Sequence, residues 1–533
     1  MPDRLVDVLR KAAEQRPDAA AFTFLGGRPE AYTYGELFAR ADELADRLST
    51  LGLAHDAPLG LLLQKQEDQV LHYLGALAAG LVPAILTPPN PKLNREYYSQ
   101  TMAEVIAKSR FAAVISDTDL DLPTALFEPH ELRRRNDFRL LHGDGELAAA
   151  FLQFSSGTTG IKRGVLISDG AAVAQISAYG AAISVDSRDV IVSWLPLYHD
   201  MGFITCLNLP LAFGAHTIMI DPIAWVTRPA TFLQAASDYH ATLAWNPNFA
   251  YAFMAKRVRA EDLGGVDLTA LRGVVNCSEP VTYRSQEAFR ARFTHHGLSP
   301  NVFWGCYAMA ETTFALTHGT PEDAESVDVV GPKGAARRDF PHVSVGRCLP
   351  SVELRVISAE GDELPDREIG ELYVRSPFTA SGYYNDANAT AASFVNGWYR
   401  TGDLGYRVGA AFYVVGRNKD VMIVGGVNVF PQDIEELVSE IENVVPGRVT
   451  SFSSFDPLVE TERVVILFET DLEDRMAREQ LVLSVRQRVL AAFQIANFDV
   501  HALTPGWLVK SSAGKIARGL NQSKWQADGG QSS

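Results

Sequence analysis

Short apolar runs recur through the first ~330 residues with amphipathic stretches between them, and this alternation limits the possible folds more than any other feature. The runs include Ala112–Ser116 (AAVIS), Val190–Pro196 (VIVSWLP), His216–Ile220 (HTIMI) and Leu271–Ser278 (LRGVVNCS). Strands that alternate with helical stretches predict α/β layers around mainly parallel sheets. From about Ser344 the texture changes. The stretches VELRVIS, GELYVRS and AFYVVGR are short, alternating and bounded by turns, which predicts a small antiparallel or β-barrel-like unit. After Gly416–Asp420 (GRNKD) come a strand, a Gly-rich turn and a helix opening near Pro431. The strand RVVILFE and a helix from about Arg475 to Phe493 complete a compact α+β unit. At 533 residues the chain exceeds one core, and ~150 residues per domain implies about three or four packing units.

Charge and cysteine usage exclude several classes. The net charge of −16 (48 basic against 64 acidic residues) argues against nucleic acid as the main partner, because phosphate neutralisation needs clustered Lys and Arg. Four dispersed cysteines (Cys206, Cys277, Cys306, Cys348) form no CxxC pair, so neither zinc nor a disulfide framework is expected, and they read as reduced thiols of a cytosolic protein. The N-terminus lacks a signal-peptide apolar run; Leu5, Val8, Leu9 and Ala12 follow a helical period instead. The most apolar stretch, Tyr73–Pro89, is shorter than the ~18 residues of a membrane span and is broken by Pro83, so no integral membrane segment is expected. It reads as a buried helix running into a core strand. The sequons at Asn388 and Asn521 are chance matches in a protein that stays inside the cell, and the tail after Trp525 is expected to be disordered.

The stretch SSGTTGIKRG (Ser155–Gly164) carries the first sign of chemistry. Its spacing fails the Walker pattern. A strand (Ala148–Phe154) enters it and another (Val165–Ser168) leaves it. Gly157 and Gly160 let backbone approach an anion, and Ser155, Ser156, Thr158 and Thr159 add hydroxyl donors. Successive amides make an anion nest, to which Lys162 and Arg163 add charge. Read alone, the stretch is equally a flexible Gly/Ser hairpin.

Five further clusters follow in order: Trp194–Gly202 (WLPLYHDMG), Gly305–Thr312 (GCYAMAET), Tyr399–Gly405 (YRTGDLG), GRNKD, and Lys510–Arg518 (KSSAGKIAR). Each has a plain reading by itself. His199–Asp200 could cap a helix, a lone Glu311 on a helix faces solvent, a Gly–Asp pair is common in hairpins, and a Lys in a Gly/Ser turn is usually solvated.

Taken together and in this order, the six stretches resemble the adenylate-forming superfamily, which contains acyl-CoA synthetases, fatty acyl-AMP ligases, amino-acid adenylation domains and beetle luciferase. The resemblance runs from about Ser155 to Arg518. It implies a large N-terminal domain, residues 1–418, binding ATP and the acyl substrate, and a smaller mobile C-terminal domain, residues 419–533, carrying a catalytic lysine. By this resemblance Ser155, Ser156, Gly157, Thr158, Thr159, Gly160 and Arg163 would hold the phosphates. Glu311, with Thr158, would ligate Mg²⁺, since a hard cation bridging phosphates takes one or two carboxylates. Tyr307, Ala308 and Met309, with Ser278 and Glu279, would contact the nucleotide; Ala308 stands where the family usually has Gly. Asp403 would accept the ribose hydroxyls, and Arg417 would contact the ribose or phosphate. His199 and Lys515 would meet where the carboxylate joins the α-phosphate. Lys419 falls at the hinge position. Trp245, Asn248, Phe249, Cys277 and Trp304 would lie near the acyl pocket, with DPIAW (Asp221–Trp225).

The implied reaction is ATP-dependent activation of a carboxylic acid. A carboxylate is a poor acyl donor, and a mixed anhydride with AMP supplies the leaving group. No catalytic base is required, because the attacking carboxylate is already ionised at neutral pH; positioning and charge stabilisation carry the step. The absence of a G-x-S-x-G elbow leaves a serine-hydrolase triad unsupported. PLYHDMG, WNPNFAYAFMAKR, NCSEPV and FPQDIEE are closest to the acyl-AMP ligase branch, which hands acyl groups to an acyl carrier protein. That branch tends to carry an insertion hindering coenzyme A, and the connection from Tyr383 to Gly405 is short for one, so the acceptor is carrier protein or coenzyme A. Gly425 and Gly426 would pass close to the thiol arm. Cys277, Ala308 and the bulky aromatics suggest a small to medium or modified acid of secondary metabolism. A luciferase-type oxygenase and a non-catalytic nucleotide-binding homologue are the competing readings.

Overall fold

Six parallel strands and one antiparallel edge strand form the central sheet, in the spatial order Phe303–Gly305, Gly273–Asn276, Leu243–Asn246, Val190–Ser193, His216–Ile220, Ala20–Leu25, Glu30–Thr33. The structure is a computed structural model. It describes every residue except 1–3, 27–28, 90–94, 119–125, 128–148, 156–162, 321–322, 324–325, 334–340, 425–426, 457–460, 494, 496, 511–515 and 530–533. The inner strands are buried apart from half-buried Val190 and His216 at their starts, as their apolar runs require. The strand expected over Val190–Pro196 ends at Ser193, whose Oγ accepts the Leu195 N–H at 3.0 Å and turns the chain away from the sheet.

A second, parallel sheet orders Val82–Ile85, Pro58–Leu62, Ala113–Ser116 and Leu126–Phe127. Helix Gln66–Ala78 runs into strand Val82–Ile85, as the apolar stretch implied. Pro83 lies within that strand, and the strand sits at the sheet edge, where a missing N–H is tolerated. Strands Phe151–Phe154 and Gly164–Ile167 flank the hydroxyl-rich loop as an antiparallel pair, extended by Gly382–Tyr383. The outgoing strand stops one residue before the expected Ser168, because that side chain caps helix Asp169–Ala182 through the Ala171 N–H.

The antiparallel unit expected after Ser344 is a five-stranded sheet of Glu353–Ile357, Gly370–Arg375, Trp398–Val408 and Phe394–Val395, with Ala411–Arg417 paired on Trp398–Val408. A smaller C-terminal domain follows. Its strands Val449–Asp456, Thr461–Glu469 and Phe498–Leu503 pack against helices Pro431–Ser439 and Arg475–Phe493. Helix Arg518–Ala527 continues past Trp525 into the expected tail. Apolar residues from Met422 to Val500 form a core separate from the large one that joins Leu5 to Phe412. Among the described residues no helix is long and apolar enough to cross a membrane.

An ion-pair cluster ties the last helix to the start of this domain. Arg518 forks onto both oxygens of Glu435 (2.9 and 3.0 Å) and reaches Asp420 at 2.7 Å. All three side chains are less than one-fifth exposed. Arg518→Ala leaves two carboxylates uncompensated, and a thermal melt should show a loss of about 3 kcal/mol. A variant melting at the wild-type temperature would remove the cluster from the stability account.

Candidate active site

In a parallel sheet ligands bind beyond the carboxyl ends of the strands, where the strand order reverses. Here strand Val190–Ser193 lies between His216–Ile220 and Leu243–Asn246, so the chain order reverses there. The segments leaving these ends wall one side of a cleft of about 2520 Å³, and the smaller domain supplies the other side. From the large domain come His199, Ser278, Cys306 and Tyr307; from the small domain come Lys510 and Ile516.

Three dispersed motifs meet at one point. Register pairs Asp403 with Arg417 across adjacent strands. The Asp403 carboxylate, 8 % exposed, accepts the Tyr307 hydroxyl at 2.7 Å and pairs with Arg417 Nε at 3.1 Å. Its own N–H is held by Thr401 Oγ1 at 3.0 Å, and Gly402 (φ 71°) supplies the left-handed turn this geometry needs. The Asp403 charge raises the Arg417 guanidinium's proton affinity. Burial, then Asp403, pushes the Tyr307 phenol well above its ordinary range.

Glu311 sits in the short helix Ala310–Thr312. Its Oε1 accepts the Tyr383 hydroxyl at 2.9 Å, and that hydroxyl lies 3.3 Å from the Tyr399 hydroxyl. Burial raises the Glu311 carboxyl above the usual range, with Arg417 opposing and Asp200 reinforcing the shift. Burial and Glu311 push Tyr383 up to about 12. The Arg163 guanidinium lies 5.2 Å from the centre of the Tyr383 ring and 3.4 Å from Asp386. The loop's neck is closed by Ser155 N–H to Arg163 O at 3.0 Å. The exit of the hydroxyl-rich loop is therefore one aromatic ring away from Glu311. Ser156, Gly157, Thr158, Thr159, Gly160 and Lys162 lie outside the described residues, as do Gly425, Gly426 and Lys515. The ends of the Lys515 loop are described: Lys510 and Ile516 form an antiparallel bridge and both line the cleft.

His199 begins the helical segment Asp200–Phe213, whose middle, Ile204–Asn208, is a π turn. Its side chain makes no capping bond, whereas Asp200 Oδ1 accepts the Met201 N–H at 2.9 Å. A Cβ at Gly202 would meet Pro196 O at 2.5 Å, so only glycine lets the helix close on the preceding turn. Ser278 has φ 68°, uncommon for a side chain of its kind, and its Oγ is 3.8 Å from Met201 Sδ. Glu279 Oε2 accepts the Phe249 N–H at 3.0 Å and so fastens the start of helix Asn248–Arg257. Asn248 Oδ1 accepts from Asn276 Nδ2, the Thr282 N–H and Ser285 Oγ, which locks this helix to the neighbouring strand end. Ala308 bridges Ala315 and lines the cleft; the Met309 N–H bonds Phe314 O. Lys419 is lowered by burial and by Arg417 beside it.

Of the residues expected at the acyl pocket, Asn248, Phe249 and, from DPIAW, Asp221, Pro222, Ile223 and Trp225 line the cleft. Trp245, Cys277 and Trp304 are not among its lining residues. Trp245 is fully buried and donates Nε1–H to Tyr179 Oη at 2.8 Å; Cys277 is fully buried; Trp304 lies under the Arg272 guanidinium. Residues that the motifs did not single out also reach the site. Tyr383 lies 72 positions from Glu311, and no local pattern links them. Trp194 sits inside a recognised motif, yet its indole is placed only by the sheet.

Residues 9–384 match the family described as AMP-binding enzyme. The chain belongs to the AMP-binding enzyme family. A long-chain-fatty-acid–AMP ligase, FadD26, from Mycobacterium marinum is 28 % identical over 98 % of this chain and 97 % of its own length. Among solved structures, one from a study of fatty acyl-adenylate ligases of E. coli and L. pneumophila superposes with a TM-score of 0.87 at 25 % identity, covering 99 % of this chain and 98 % of the other. A fatty acyl-adenylate ligase from L. pneumophila, solved with acyl adenylate and pyrophosphate, gives 0.72 at 26 % identity, covering 98 % and 96 %. As in other AMP-binding enzymes of this mixed α/β architecture, the large domain holds the central sheet and half-barrel and a smaller domain follows.

Proposed function

We propose that the chain activates a carboxylic acid with ATP and passes the acyl group to the phosphopantetheine thiol of an acyl carrier protein. The observation that carries this reading is the convergence of Tyr307, Asp403 and Arg417 on one cleft edge that the small domain also reaches, with Glu311 buried close enough to feel the Arg417 charge. In the first step a substrate carboxylate oxygen attacks the α-phosphorus. The bond from that phosphorus to the bridging oxygen breaks, and pyrophosphate leaves with the electron pair. In the second, the thiol sulfur attacks the acyl carbon, AMP departs with the old bond's electrons, and the thiol proton is released.

In this reading Asp403 and Arg417 take the ribose, and Tyr307, Ala308, Met309, Ser278 and Glu279 border the base. The loop Ser155–Gly160, with Arg163, takes the β- and γ-phosphates. His199 and Lys515 flank the carboxylate and α-phosphate. Glu311, with Thr158, fits a Mg²⁺ ion: burial has left its carboxylate short of positive charge, and a divalent cation supplies it. Such an ion would neutralise charge on the phosphates. Residues 1–418 and 419–533 act as two bodies turning at Lys419 between the steps, so that one cleft serves both.

Coenzyme A as acceptor is the second reading. It is favoured by the connection Tyr383–Trp398, which holds only helix Ala387–Ser393 and strand Phe394–Val395. Pyrophosphate release across a carboxylic-acid panel, followed by acyl transfer to a carrier protein and to coenzyme A, tests both. Transfer to the carrier protein at least ~10-fold faster, a difference of 1.4 kcal/mol in barrier, is expected. Faster transfer to coenzyme A selects the second reading, and no ATP turnover with any acid rejects both. In a chain-length series a small to medium acid should be preferred; an optimum among long-chain acids would overturn that expectation.

A further inference from the structure

One carboxylate joins the two domains. Glu440 is the C-terminal cap residue of helix Pro431–Ser439 in the small domain, and its side chain is 13 % exposed. It pairs with two guanidinium groups. Arg284, from helix Tyr283–Phe293 of the large domain, meets its Oε1, and Arg488 Nη2 of the small domain donates to its Oε2 at 3.1 Å. Arg284 and Glu440 both line the cleft. A second contact crosses the same way: the Lys510 ammonium of the small domain lies 5.6 Å from the centre of the Phe249 ring.

Both members of the pair are held from behind. Thr282 Oγ1 accepts the Ser285 N–H and starts the helix that carries Arg284, while the Thr282 N–H is bonded to Asn248 Oδ1. Arg488 ties Glu440 to helix Arg475–Phe493. Of the two bonds to Glu440, the one from Arg284 spans the domains. A turn of the small domain separates that pair and leaves the Arg488 pair intact. The orientation in which the Arg284 pair is made has a further mark. Lys510 and Ile516, which flank Lys515, line the cleft, whereas Met422, Val424 and Val429, which flank Gly425 and Gly426, are packed into the small domain's own core. In the two-step reading above, the lysine acts in adenylation and the two glycines border the thiol arm.

We propose that Arg284 is a positioning residue, whose ion pair with Glu440 holds the small domain in the adenylating orientation and so sets the balance between the two half-reactions. This rests on the reading of the chain as an acyl-adenylating enzyme. An ion pair made in one orientation only favours that orientation by its own free energy. Arg284 is half exposed, so salt screens the pair, while the burial of Glu440 keeps it at the strong end of the range for surface pairs. Each single-turnover rate scales with the population of its own orientation. The ratio of adenylation rate to transfer rate therefore reports the balance, whichever orientation dominates.

The test uses the full chain with octanoic acid, or with the acid that the panel shows to turn over fastest. Pyrophosphate release in a single turnover gives the first rate. Transfer from the preformed acyl-adenylate to carrier protein or coenzyme A, whichever accepts, gives the second. Arg284→Ala should lower the ratio of the first to the second by ~5-fold. Arg284→Lys keeps the charge and should restore most of it. Raising the salt concentration should lower the wild-type ratio and move that of Arg284→Ala far less. Glu440→Gln removes the charge from the other side and should give the same fall; it decides if Arg284→Ala fails to fold. An unchanged ratio, an equal fall in both rates, or Arg284→Lys behaving as Arg284→Ala overturns the assignment while leaving adenylation standing. Absence of pyrophosphate release with every acid overturns the adenylation reading itself.

Discussion

Lys515→Ala should lower ATP-dependent pyrophosphate release by ~10²–10³-fold, the loss expected when one preorganised donor to a developing charge is removed. ATP binding should persist, because the ribose and base contacts proposed for Tyr307, Asp403 and Arg417 belong to the other domain. The physical basis is the placement of the residues that flank the lysine. Lys510 and Ile516 pair with each other and both line the cleft. A cation delivered there opposes the charge that builds on the α-phosphate as the carboxylate attacks. Transfer from a preformed acyl-adenylate should fall far less, since that step forms no new bond to phosphorus. Pyrophosphate exchange and single-turnover thioester formation separate the two steps. Unchanged exchange would remove Lys515 from the mechanism.

Glu311→Gln should cost roughly 10²-fold in adenylation, about 2.7 kcal/mol of barrier, and should raise the Mg²⁺ concentration needed for half-maximal rate. The variant keeps the acceptor for the Tyr383 hydroxyl and loses only the charge, so a folding defect is not expected. The pH profile adds a second readout. Burial raises the Glu311 carboxyl, so the competent ionised form is lost as pH falls through a value above the ordinary carboxylate range. Metal and proton compete for the same oxygens. Excess Mg²⁺ should therefore move the acid limb of the wild-type profile to lower pH, and Glu311→Gln should lack that Mg²⁺-sensitive limb. A limb that ignores Mg²⁺, or that persists in the variant, would argue that Glu311 holds no ion.

Much of the architecture was open to reading from local patterns. Helix Arg475–Phe493 has the bounds its periodicity predicts, because Leu481, Val485, Val489 and Phe493 recur at helical spacing and are all buried. Helix Pro431–Ser439 opens where proline's missing N–H goes unneeded. Of the apolar runs, Val190–Pro196, His216–Ile220 and Leu271–Ser278 gave strands of the central sheet and Ala112–Ser116 a strand of the second parallel sheet, while the alternating ones gave the antiparallel sheet. Errors stayed at element ends. Ser193 and Ser168 used their hydroxyls on nearby backbone, a local competition that hydrophobic pattern does not register.

What the chain's order of residues determined alone was the family, the layer architecture and the set of polar clusters. Those follow from short-range rules: periodicity, turn chemistry and spacing within a motif. Only the tertiary structure decided which clusters touch. Tyr307 meets Asp403 across 96 positions, and Glu311 meets Tyr383 across 72. It also decided how individual polar atoms were spent: Asn248 and Glu279 became fastenings for a helix start, while the buried Trp225 N–H was left without an acceptor among the described residues. A hydrogen bond needs its partners within about 3 Å and aligned, and only the packed sheet sets that distance between residues far apart in the chain.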